Sequence, residues 1–143
     1  MSVRALPLII LVFILYNVIV LIGGGGGAEQ AHAILQRTLL NIPMINNPKP
    51  WQFTWGDLVI LVLLGTMFVE LLKATYTSTA SLLDHGLSML VFVACLVEFL
   101  LVQSAHTSVF FFIMIGSLID VIAGYTIGIR VARRDIGFGG GGD

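Results

Sequence analysis

The side chains able to do chemistry in this chain are few, and most lie inside apolar runs. Asp120 has glycines four residues before it, four after and eight after, at Gly116, Gly124 and Gly128. Positions four apart lie above one another on a helix, so this face is one carboxyl in a strip without side chains. An acid in hydrocarbon is costly unless something satisfies it, and a Gly-x-x-x-Gly spacing lets a second helix come close. Gly116, Asp120, Gly124 and Gly128 are therefore expected to form a helix-packing face.

Two further acids sit in apolar surroundings. Glu70 precedes Lys73 by three residues, a spacing that allows an ion pair on one helical face, with the lysine stem reaching toward headgroups. Asp84, Ser88, Val91, Cys95, Glu98 and Val102 follow alternating steps of four and three, one seam of a packed helix. At a rise of ~1.5 Å per residue, Glu70 and Asp120 both fall ~20 Å from the far edge of their helices, and Ser88 reaches that level from the other direction. Glu98 lies ~24 Å up its helix, near the far interface. Asp120 has no opposite charge within four residues, so it must find Ser88, Lys73, a neighbouring subunit or a proton. If the chain moves protons or cations, Glu70, Asp120, Glu98, Lys73 and Ser88 are the residues that would relay them.

The elements that must position these groups follow from composition. With 57% hydrophobic and 10% charged residues and a mean hydropathy of +1.01, the chain lacks the roughly 25% charge of a soluble domain. Four apolar runs, about residues 5–22, 55–73, 82–102 and 108–129, are long enough to be weighed as spans of a ~30 Å hydrocarbon core. The expected fold is an all-α integral membrane protein: a single membrane domain over residues 1–143, built as a four-helix transmembrane bundle. Arg4, Lys73, Arg130, Arg133 and Arg134 fall on the side of the termini, against Arg37 and Lys49 on the other. The positive-inside rule then makes the N and C termini cytoplasmic, in a membrane of the bacterial inner type. Trp51 and Trp55 stand where the second run meets the far interface.

Helix starts are marked locally. Thr54-Trp55-Gly56-Asp57 and Ser81-Leu82-Leu83-Asp84 have the capping-box spacing, and Thr107 or Ser104 is placed to cap the last helix. The first run follows Arg4 and precedes Ala31-His32-Ala33, as in a cleaved leader. At about 17 residues it exceeds the about 7–15 of a leader's apolar region, so a retained anchor is expected. In the far-side loop 23–54, five successive glycines from Gly23 to Gly27 oppose helix formation. Ala31, Ile34, Leu35, Leu39 and Leu40 are spaced for a short amphipathic helix on the membrane surface. From Ile42 to Pro50 the prolines at 43, 48 and 50 suggest an extended linker. The cytoplasmic tail 130–143 ends in glycines, and its part after Arg134 is expected to be mobile unless a partner holds it.

Other chemistry is disfavoured. A net charge of −1 and the lack of a basic run give nucleic-acid binding no electrostatic basis. His85 and His106 are ~31 Å apart along one helix, so no metal or cofactor is expected. No Gly-x-Ser-x-Gly, Walker or Rossmann fingerprint occurs, so no enzyme activity is expected. The expected partners are the lipid bilayer and either a second copy or other membrane subunits. The leading expectation is a homo-oligomer or an accessory subunit of a larger membrane complex. The alternatives are a proton or cation channel formed by an oligomer, and a lipid-interacting factor that uses the far-side amphipathic segment.

Overall fold

Five α-helices and one β-hairpin occur among the residues that the computed structural model describes, 6–24, 26–75 and 80–137. For residues 80–85, 128 and 130–137 the backbone alone is described, so the Ser81–Asp84 cap and the His85 ring lie outside it. The chain runs α1 (Ile9–Ile22), α2 (Ala28–Leu35), β1 (Thr38–Met44), β2 (Asn47–Thr54), α3 (Trp55–Ala74), α4 (Ala80–Leu101), a short 3-10 turn (Gln103–Ala105) and α5 (Ser108–Gly137). The protein is mostly helical, and α3 and the first part of α5, Ser108–Ile127, are long and apolar enough to cross a membrane.

Helix α5 is the centre of the assembly, packing against α1, α3 and α4. The core lies between these helices and includes Ile9, Val12 and Tyr16 of α1, Val59 and Leu63 of α3, Cys95 of α4, and Phe110 and Ile113 of α5. On α1 the buried positions are 9, 12, 16 and 20, steps of three and four that give one inward stripe. The opposite face, including Leu11, Ile14 and Val18, is exposed. Aromatic rings fill the end of the core near the start of α5, where Phe110 meets Tyr16 edge-on at 4.9 Å and stacks with Phe99 at 6.4 Å.

The caps that hold α3 and α5 are present. Thr54 Oγ1 accepts the Asp57 amide at 3.2 Å, while Asp57 accepts the Thr54 amide at 2.9 Å, the reciprocal capping box. Thr107 Oγ1 accepts the amide of Phe110 at 3.2 Å at the head of α5. Helix α1 stops at Ile22, and Gly24 with φ +82° turns the chain where other residues are strained.

Four expectations need correction. Helix α1 covers 14 residues, ~21 Å of rise, shorter than the apolar run that suggested it because its regular hydrogen bonding begins only after Pro7. Helix α2 forms, but its stripe of Ala31, Ile34 and Leu35 is buried against the ends of α1 and α3 and the 3-10 turn. A protein surface, not lipid, covers it. Gly23 makes room for this: a Cβ there would lie 2.6 Å from Ile34 Cδ1.

The fold is also not all-α: residues 38–54 pair as an antiparallel hairpin, where an extended linker was expected over Ile42 to Pro50 and Leu39 and Leu40 were expected to continue the amphipathic helix. The β-branched and aromatic residues Thr38, Ile42, Trp51, Phe53 and Thr54 favour strands. The three prolines, which argue against a central strand, are tolerated because a two-stranded sheet has only edges. Last, α5 continues as helix to Gly137, into the first residues of the tail after Arg134 that was expected to be mobile. Residues 138–143 lie outside the described residues.

Candidate functional site

Two polar clusters sit at opposite ends of the helical core. The first is built on α3. The Glu70 carboxylate accepts the backbone amide of Leu8, at the head of α1. It also pairs with Lys73, whose Nζ lies 3.0 Å from Oε2 and donates to Oε1 at 3.1 Å. Lys73 Nζ donates as well to the Leu6 carbonyl at 3.0 Å. One carboxylate and one ammonium therefore grip both sides of the chain entering α1. The first amides of a helix lack internal partners, and a negative charge there also meets the positive end of the helix dipole.

Asp120 of α5 completes this cluster. It is buried and lies within electrostatic reach of Glu70 across the α3–α5 contact. One turn earlier, Gly116 lets the helices approach: a Cβ there would meet Leu63 Cδ1 at 2.9 Å, Met67 Sδ at 3.2 Å and Ile9 Cδ1 at 3.6 Å. The glycine face thus turns inward, toward α3 and α1 of the same chain. Gly124 is buried too, while the surroundings of Gly128 lie outside the described residues. Ser88 is buried on α4. Cys95 of α4 and Ser117 of α5 lie side by side, so in antiparallel register Ser88 stands level with Gly124, about a turn beyond Asp120.

The second cluster lies where α1, α4 and α5 meet. The Tyr16 hydroxyl is 2.7 Å from Thr107 Oγ1 and donates to the Ser104 carbonyl at 2.7 Å. Asn17 lies beside Glu98 and donates to the Phe13 carbonyl at 3.1 Å. The structure thus brings Glu70, Lys73 and Asp120 together and leaves Glu98 at the other end of the core. Sequence reasoning passed over Tyr16 and Asn17. The available signal was an adjacent pair of hydrogen-bonding side chains inside an otherwise apolar run.

Apolar side chains lie between the two clusters. From Leu8 to Tyr16 is ~12 Å along α1, and this interval is filled by Val12, Leu63 and Ile113, all buried. Among the described residues, no group of three or more His, Cys, Asp or Glu side chains is placed to hold a metal ion. His106 is exposed and rests against Phe99 at 6.1 Å. What the arrangement can do chemically is join helices: each cluster links chain segments far apart in sequence. No family model, curated protein or solved structure matches this chain.

Proposed function

We propose that this chain is a small inner-membrane protein that crosses the bilayer four times and works by helix packing, as a homo-oligomer or an accessory subunit of a larger membrane complex. The observation that carries this reading is the use made of the buried polar side chains. Glu70, Lys73, Tyr16, Thr107, Asn17 and Glu98 all join one segment of this chain to another, so their chemistry is spent on architecture. The outward faces are apolar, as at Leu64 and Phe68 of α3, Leu90 and Leu100 of α4, and Ile122 of α5. Such faces suit lipid or other membrane helices.

Topology fits the same reading. The head of α1 and the ends of α3 and α5 share one end of the bundle, the end with Lys73, Arg130, Arg133 and Arg134, which we take as the cytoplasmic end. With 30 residues, α5 reaches ~45 Å, so its arginine-bearing last turns extend ~15 Å past a ~30 Å core.

The test is the mass of the particle extracted gently from its native membrane. A multiple of the 15.5 kDa chain, or co-purifying membrane subunits, supports the proposal. A lone chain at every detergent and lipid condition overturns it.

The second reading, proton or cation movement, is favoured by one observation: Glu70 and Asp120 share a buried layer from two helices. The apolar interval beyond them means that a path would have to run between copies. Proton leak into liposomes loaded with a pH dye tests it, and equal leak for wild type and Asp120→Asn ends the idea for that residue.

A further inference from the structure

The β-hairpin carries an apolar face that, among the described residues, stays largely exposed. Its register pairs Leu40 with Phe53, Asn41 with Gln52, and Ile42 with Trp51. Side chains alternate along a strand, so Leu40, Ile42, Trp51 and Phe53 share one face and Asn41 and Gln52 the other. The rings of Trp51 and Phe53 touch edge-on at 5.9 Å. Yet Leu40 and Trp51 are exposed, and Ile45 at the tip is fully so. The hairpin meets the helical body at its root, where β2 runs into α3. A two-stranded hairpin is marginal alone in water, so this face requires a cover.

We propose that the cover is lipid: the hairpin lies on the bilayer surface opposite the termini, its Leu40–Ile42–Trp51–Phe53 face bedded at the headgroup level. This rests on the reading that α3 crosses the membrane.

Three observations select lipid. The first is continuity. No linker separates β2 from α3, and the Thr54–Asp57 capping box fixes the junction, so the hairpin begins at the level where α3 enters hydrocarbon. The second is composition. Trp51 stands close to Trp55, the first residue of α3, and amphipathic indole rings favour this depth. The third is charge. Between Thr38 and Thr54 the only charged residue is Lys49, which lines one hollow with Trp51, Pro50 and Met44. An uncharged sheet with a single cation beside its indole is compatible with anionic headgroups and offers little to steer a protein partner. Each strand reaches ~25 Å from the junction, enough to lie along the surface as a second contact beside the helices.

The chain has two tryptophans, which makes the proposal directly testable. The full chain with Trp55→Phe reports Trp51 alone, and the chain with Trp51→Phe reports Trp55 alone. Each is reconstituted at low protein density into vesicles of phosphatidylcholine and phosphatidylglycerol, brominated either near the headgroup or at the chain ends. The expected result is that Trp51 loses about half of its emission to bromines near the headgroup and little to those at the chain ends, as for a ring at the interface. Introducing Ile42→Asp and Ile45→Asp together should abolish that quenching while leaving Trp55 quenched.

If Trp55 is quenched and Trp51 is not, the hairpin stands clear of lipid, and the proposal fails while the crossing of α3 stands. If neither is quenched at any depth, the crossing itself fails, and the proposal with it. Quenching of Trp51 that disappears as protein density rises would instead show that a second copy covers the face in crowded membranes, which also overturns the proposal.

Discussion

The Tyr16 hydroxyl lies 2.7 Å from Thr107 Oγ1, joining residues 91 apart in sequence. Thr107 uses the same oxygen to cap α5, so a single hydroxyl fixes both the start of the last helix and the place of the first. Removing the phenol oxygen in Tyr16→Phe leaves the ring in its slot against Phe110 but deletes two hydrogen bonds. We expect a loss of about 1–2 kcal/mol. Thr107→Val removes the cap as well and should cost about 2 kcal/mol. Denaturant unfolding in detergent, run as a double-mutant cycle, measures both, and the two losses should be less than additive because they share one bond.

The grip on the head of α1 makes a different prediction. Glu70→Ala takes the acceptor from the Leu8 amide and the counter-ion from Lys73. A hydrogen bond to a charged group contributes about 1.5–3 kcal/mol, and Lys73, partly exposed, can turn toward solvent and soften the loss. We expect destabilisation of about 2 kcal/mol, with faster amide exchange concentrated at Leu8 to Leu11. Uniform exchange along α1 would show that the carboxylate does not hold that end.

Gly116 and Gly65 should respond oppositely to the same change. At Gly116 a leucine has nowhere to go, since even a Cβ reaches 2.9 Å from Leu63. Gly116→Leu should cost about 3 kcal/mol or more by forcing α3 and α5 apart. At Gly65 a Cβ meets nothing within 4 Å, so Gly65→Ala should stabilise α3 by about 0.5–1 kcal/mol. Melting temperatures of the two variants, compared with wild type in one detergent, decide the matter.

Cys95 provides a probe of packing that needs no substitution. It is fully buried and the only cysteine, so a maleimide should label the folded protein slowly and the unfolded protein quickly. Gly116→Leu should raise the labelling rate at least about tenfold if it loosens the core by about 1.4 kcal/mol or more. Rapid labelling of the native wild type would contradict the α4–α5 contact.

Composition and local spacing alone were enough for the helical character, the Thr54–Asp57 and Thr107 caps, and the pairing of Glu70 with Lys73. Each depends on residues within about one turn of one another, where covalent spacing nearly dictates geometry. The glycine strip around Asp120 likewise announced that a helix must lie against it. Which helix, and from which molecule, was a matter for the tertiary structure, which fills the strip around Gly116 with Leu63, Met67 and Ile9 of the same chain.

The same holds for the loop after α1. Its stripe of Ala31, Ile34 and Leu35 was readable, but an apolar stripe is silent on whether protein or lipid will cover it, and the bundle end supplied the cover. Residues 38–54 misled because prolines normally argue against strands, and only pairing across the Ile45–Asn46 turn made every position an edge. Glu70 gained its decisive partner from Leu8, 62 residues away. Local spacing cannot reveal a backbone amide brought in from so far, because that contact exists only once the whole bundle has closed.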